Sequence, residues 1–191
     1  GAVRSLPNLT VIVPSDAIEM GKAVEAAVRI PGPVFIRGSR EKFPVLFDDS
    51  HVFQAGKGAI LAPGDDVTLV ACGFMVSLAL EARESLLAQG IRARVVSMSS
   101  IKPIDADLLA ACARETGAMV TAEEHSIIGG LGSAVAEVLV ERHPIPMARI
   151  GVRDCFARSG RASELMEAFG LTSGHIAAAA REVVGRKRGP K

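Results

Sequence analysis

The amino-acid sequence predicts an α/β fold: a three-layer, Rossmann-like open sheet, mainly parallel, preceded by a β–α–β remnant of another α/β domain. Three observations predict it. From Val67 onward, short apolar runs alternate with longer helical patterns, the layout of parallel strands linked by helices. The apolar residues are almost all Val, Ile, Leu and Ala, with no Trp and no Tyr, which suits strands buried on both faces. A strand–helix–strand unit at the front is cut off from this series by a long polar connection.

The front unit starts with "LTVIVP" (residues 9–14), a β-branched run ended by Pro. Ser15 or Asp16 can cap a helix over "AIEMGKAVEAAVRI". "IPGP" breaks that helix, and "VFIRG" (34–38) is a second strand. Two strands and one helix cannot bury a sheet alone, so the unit needs partners that the next segment does not obviously supply. Residues 39–66 form a polar connection rich in turn signals, with short strands expected around 45–47 and 59–61.

The regular series follows. Strands are predicted at 67–72, 94–98, 118–122 and 148–152, and helices at 76–89, 106–115 and 133–142, with two more near 162–169 and 174–184. Gly90 stands just past the first of these helices, where a left-handed residue ends a helix. The compact domain is expected over about Gly64–Gly185 without internal repeats, and the basic tail "RKRGPK" (186–191) is expected to be disordered.

Net charge is +1, so no global field points to nucleic acid or membrane. Cys72, Cys112 and Cys155 are far apart and form no CxxC, which argues for free thiols in a reducing compartment. The longest weakly polar run, residues 67–80, is too short to span a bilayer. No signal-peptide pattern opens the chain, so a cytoplasmic location is expected. Residue 1 is Gly rather than Met, which points to a processed, cloned or cut N-terminus.

Two stretches carry candidate chemistry. In "TAEEHSIIGGLGSAV", Gly130 and Gly132 supply two positions of a dinucleotide fingerprint, but the third falls on Val135, too bulky for close helix–strand packing. The phosphate-loop pattern also fails around Gly56-Lys57, where Gly58 follows and His51 stands upstream. The helix start at Gly132–Ser133 could still attract an anion; the plainer reading is a tight turn and close packing. Glu123, Glu124 and His125 end a predicted strand at the sheet edge where ligands bind in open α/β folds. Acid–base work is one reading. A structural or subunit-contact role is the other, because adjacent side chains diverge. His51, His143 and His175 show no ligand spacing. In "FIRGSREKFP", Arg37 and Arg40 follow a strand, and their guanidinium forks suit phosphate or carboxylate oxygens; a solvated basic turn is the alternative.

The order and spacing of "LPNLTVIVPSDAIE", "GPVFIRGSREKFPVL", "SIKPID", "TAEEHSIIGGLGSAV" and "GVRDCFARSG" resemble the C-terminal part of transketolase-type, thiamine-diphosphate-dependent enzymes, above all the C-terminal chain of transketolases split into two subunits. The resemblance implies residues 1–46 as the end of a pyrimidine-binding domain, 47–65 as a linker, and 66–191 as a transketolase C-terminal domain. It places the cofactor-activating glutamate and the metal motif upstream of Gly1. The chain alone is therefore expected to be inactive, with no catalytic residue and no bound thiamine diphosphate or Mg²⁺. It implies that Arg40, in the place of the family's phosphate-gripping arginine, binds a sugar phosphate. "SREKFP" departs from the commoner "SRQNLP", which leaves a pentose phosphate in doubt. Glu124 and His125 are implied at an interface or site edge. The expected partner is a second copy or an N-terminal transketolase subunit. The complete enzyme would transfer a two-carbon ketol unit between sugar phosphates. A 1-deoxyxylulose-5-phosphate synthase or a 2-oxo acid dehydrogenase beta subunit is the nearest alternative. A non-catalytic α/β interaction module is an alternative of another class.

Overall fold

The computed structural model describes residues 1–39, 42 and 44–187. Among them are eight strands in two sheets. The front unit contributes β1 (Thr10–Ile12), α1 (Ala17–Ala27) and β2 (Val34–Ile36). β1 and β2 pair in parallel, with Thr10 opposite Val34. The helix ends earlier than its sequence pattern suggests: Arg29 and Ile30 are already in turns ahead of the Pro31 and Pro33 breakers.

The large sheet contains β3 (Ala59–Ala62), β4 (Val67–Ala71), β5 (Ala93–Ser97), β7 (Met119–Ser126) and β8 (Met147–Val152), in the order β3-β5-β4-β7-β8. All pairings are parallel except that of the edge strand β3. Side chains alternate across the sheet, as the two-residue strand period requires. Val67, Leu69 and Ala71 of β4 face one core and Val70 faces the other. The first core is covered by α2 (Met75–Leu87) and α6 (Ser173–Lys187), and the second by α3 (Ala106–Thr116) and α4 (Leu131–Arg142). The result is the expected three-layer arrangement, with α5 (Ala162–Ala168) at its border.

β6 (Ser100–Lys102) had no counterpart in the sequence pattern. It is too short to show a period and runs straight into Pro103. It pairs antiparallel with β1, giving the small sheet the order β2-β1-β6. Val11 and Val13 of the front unit pack into the same core as Leu109 and Val135. The front unit thus finds its missing partners in the second one. No strand forms at 45–47; Asp16 takes the backbone there instead. Its Oδ1 accepts from Glu19 N–H at 2.8 Å, capping α1, while Oδ2 accepts from Leu46 and Phe47 N–H at 2.7 and 2.8 Å. Glu19 is buried beside it and accepts from Ser15 N–H and the Ser99 hydroxyl. His51 stacks on Phe47, with its Nε2 3.4 Å from Glu19.

The tail differs from expectation. Arg186 and Lys187 complete α6, and Lys187 Nζ donates to the Thr116 carbonyl at 2.6 Å, satisfying a helix-end acceptor. Residues 188–191 lie outside the described residues. No helix among the described residues is long and apolar enough to cross a membrane.

Candidate functional site

In the large sheet the chain leaves β4 toward β5 and leaves β7 toward β8, with the linking helices on opposite faces. The two connections diverge between β4 and β7, and a crevice opens outside the C-terminal ends of these strands. Here the front unit fills it. Gly73 N–H donates to the Val13 carbonyl at 3.3 Å, and Val13 and Pro14 leave only about 10 Å³ at the crevice floor.

Beside this plug a cleft of about 610 Å³ remains. Among the described residues, its polar lining includes Arg37, Ser39, Lys42 and Glu124. Its apolar lining is a wall of side chains from α5 and the turn after it, including Leu165, Met166 and Phe169. Arg37 and Glu124 face each other at 3.9 Å, each about a third exposed (35% and 36%), an ion pair beyond hydrogen-bonding distance. Glu124 therefore lines this cleft. The apolar wall was not foreseen, because α5 follows β7 by many residues. The call on Arg40 lies outside the described residues.

The next two neighbours point elsewhere. Glu123 is buried, with 2% of its surface exposed, and it turns back onto the start of α4. Its two oxygens accept from Leu131 and Gly132 N–H, both at 2.8 Å. The anion expected at that helix start is supplied by the chain itself, at a helix that begins two residues earlier than predicted. Gly130 makes room for the carboxylate, and Gly132 for the Arg149 side chain. A Cβ on Gly130 would lie 1.9 Å from Glu123 Oε2, and one on Gly132 would lie 2.8 Å from Arg149 Cδ. The turn is thus filled by a carboxylate and holds no nucleotide phosphate. His125 is half-buried; its Nδ1 donates to the Ser126 carbonyl at 2.9 Å and its Nε2 faces the Gly1 nitrogen at 3.2 Å. It makes no pair with Glu124.

Burial pushes the Glu123 carboxyl above the usual range, and the Gly132 and Leu131 N–H groups pull part of the way back. A folded pKa above the unfolded one gives a contribution that is fully present below about pH 4 and is lost as pH rises through the folded value. The stability gap between the native chain and Glu123→Gln, which cannot titrate, should therefore narrow from about pH 4 toward neutrality. Urea midpoints across that range test this; a widening gap would show that the hydrogen bonds outweigh burial. The same burial, reinforced by Glu123, raises the Cys72 thiol, leaving it uncharged at neutral pH.

Residues 56–176 match the family described as transketolase, C-terminal domain. The 6-deoxy-6-sulfo-D-fructose transketolase subunit SqwH of Clostridium sp. (strain MSTE9) is 44% identical over 97% of this chain and 58% of its own length. A 1-deoxy-D-xylulose-5-phosphate synthase of Heliobacterium modesticaldum is 39% identical over 97% of this chain and 29% of its own. A solved split-gene transketolase, described as an inactive beta4 tetramer, superposes with a TM-score of 0.95 at 50% identity, covering 97% of this chain and 61% of that one. The transketolase from Leishmania mexicana superposes with a TM-score of 0.72 at 27% identity, covering 97% and 26%. The chain thus spans a little over half the length of the SqwH relative. The family match, the three-layer sheet and the run of relatives along nearly the whole chain agree: this chain belongs to the transketolase C-terminal domain family.

Proposed function

We propose that this chain is the C-terminal portion or subunit of a transketolase-type enzyme that moves a two-carbon ketol unit between sugar phosphates. The likeness to the split-gene transketolase over 97% of the chain carries this reading. Residues 1–46 would end a pyrimidine-binding domain, 47–65 would serve as linker and 66–191 as the C-terminal domain. β3 falls within that linker and joins the edge of the large sheet.

Thiamine diphosphate supplies the electron sink for C–C cleavage in such enzymes. Among the described residues no group of three or more His, Cys, Asp or Glu gathers to hold a metal ion. By the resemblance to transketolases, the proposal assigns the cofactor and Mg²⁺ to the rest of the enzyme. This chain would assist assembly, with a second copy or an N-terminal subunit, and would orient substrate. Arg40 would grip the anionic end of the sugar through a charge-assisted fork. A phosphate and the sulfonate named for the Clostridium relative share that chemistry.

The test is a donor panel on the assembled enzyme. A ketose phosphate or 6-deoxy-6-sulfo-D-fructose is expected to serve as donor, and Arg40→Ala should raise KM for it about tenfold or more with a smaller change in kcat, the loss of one charge-assisted contact. Turnover of pyruvate as donor would favour the synthase alternative, which the Heliobacterium relative keeps open. An unchanged KM would remove Arg40 from the site.

A further inference from the structure

We propose that Asp16 is a positioning residue for the anion grip: its second carboxylate oxygen fixes the connection on which Arg40 lies, so that Arg40 meets the sugar's anionic end in one place. The inference rests on Arg40 as the residue that grips the sugar, and adds a residue to that reading. In the chain, Arg40 lies between two tie points. On its N-terminal side, β2 ends at Ile36 and the Arg37 N–H donates to the Ile12 carbonyl at 2.9 Å. On its C-terminal side, the Leu46 and Phe47 N–H groups both donate to Asp16 Oδ2, at 2.7 and 2.8 Å. Both tie points lead back to one corner, where β1 turns into α1.

A helix cap alone does not call for this carboxylate. Oδ1 accepts from the Glu19 N–H and caps α1, and a serine hydroxyl would cap as well. Oδ2 has a separate task. Asp16 is buried, so water competes little for its bonds. Farther along, the Lys22 ammonium donates to the Asp49 carbonyl at 2.6 Å and His51 stacks on Phe47, which holds the same connection against α1 beyond the tie point. A guanidinium fork that takes two oxygens at once tolerates little displacement. A segment tied at both ends meets its ligand with less ordering left to do, and that lowers the cost of binding. Loss of the Oδ2 contacts should therefore weaken the grip on the anion and leave the chemistry at the other end of the sugar intact.

Asp16→Ser keeps a cap for α1 but is too short to reach Leu46 and Phe47. KM is to be measured on the assembled enzyme for D-fructose 6-phosphate or 6-deoxy-6-sulfo-D-fructose, whichever it turns over, and for D-fructose, which lacks the anion. Asp16→Ser is expected to raise KM for the anionic donor about fivefold or more, with a smaller change in kcat and no comparable change for D-fructose. On the Arg40→Ala background its effect should vanish. In the unsubstituted enzyme, the anionic donor should slow amide exchange at Leu46 and Phe47 about threefold or more beyond the effect of D-fructose, a readout that depends on no variant folding. Equal rises in KM for both sugars, or exchange at Leu46 and Phe47 that the anion does not change, would overturn the proposal. An unchanged KM in Asp16→Ser beside a raised one in Arg40→Ala would sink the role of Asp16 alone. An unchanged KM in Arg40→Ala, or turnover of neither anionic ketose, would remove the reading on which it rests.

Discussion

Glu123→Ala is expected to destabilise the chain by about 2–3 kcal/mol at neutral pH, read from urea denaturation. The substitution orphans the Leu131 and Gly132 N–H groups at a buried helix start and removes a charge from the positive end of α4. Relief from burying the carboxylate offsets part of the loss, which keeps the figure below the sum of two charged hydrogen bonds. Gly130→Ala should cost a similar amount for a different reason. Its backbone, at φ −87°, accepts a side chain without left-handed strain. The new methyl would stand 1.9 Å from Glu123 Oε2 and expel the carboxylate. The two effects are therefore one effect. On the Glu123→Ala background, Gly130→Ala should lose most of its cost, with a coupling of about 1.5 kcal/mol or more. Additive costs would show that the glycine serves the backbone and not the carboxylate.

Asp16→Ala should be the more damaging change, by about 3–5 kcal/mol. It removes the cap of α1 and leaves Leu46 and Phe47 N–H without their acceptor. The local signature is sharper than the global one. Amide exchange at Leu46 and Phe47 should accelerate far more than exchange in β4, because only the connection is released. Asp16→Asn keeps one oxygen and should cost roughly half as much. A cost below about 1 kcal/mol for the alanine variant would mean that water satisfies these amides.

Much of the second unit was legible because its signals are periodic. The aliphatic runs of β4, β5 and β7 and the apolar stripes of α2, α3 and α4 repeat with the period of their structure. Asp16 was legible as a cap from its type and place. Its second oxygen was not, since the reach to Leu46 and Phe47 depends on how the chain returns. Glu123 and Glu124 look alike in sequence, yet the pleat sends one under the glycine turn and the other into the cleft. A signal was present: a carboxylate at a strand end followed by glycines at a helix start. The cleft itself was not legible, because Arg37 and Leu165 meet only after the sheet is built.

The pairing of β1 with β6 also bears on folding order. Val11 finds its partner at Lys102, and Ile12 at Ser100, almost half the chain away. Among the described residues, β1 and β2 without β6 are a two-stranded ribbon, which is marginal in water. Such distant closure slows folding relative to local contacts. β1 and β2 thus gain this third strand only from a segment made later. A chain cut between Leu46 and Phe47 would leave one piece without its third strand and the other with an open edge at β6, exposed to whatever strand it next meets.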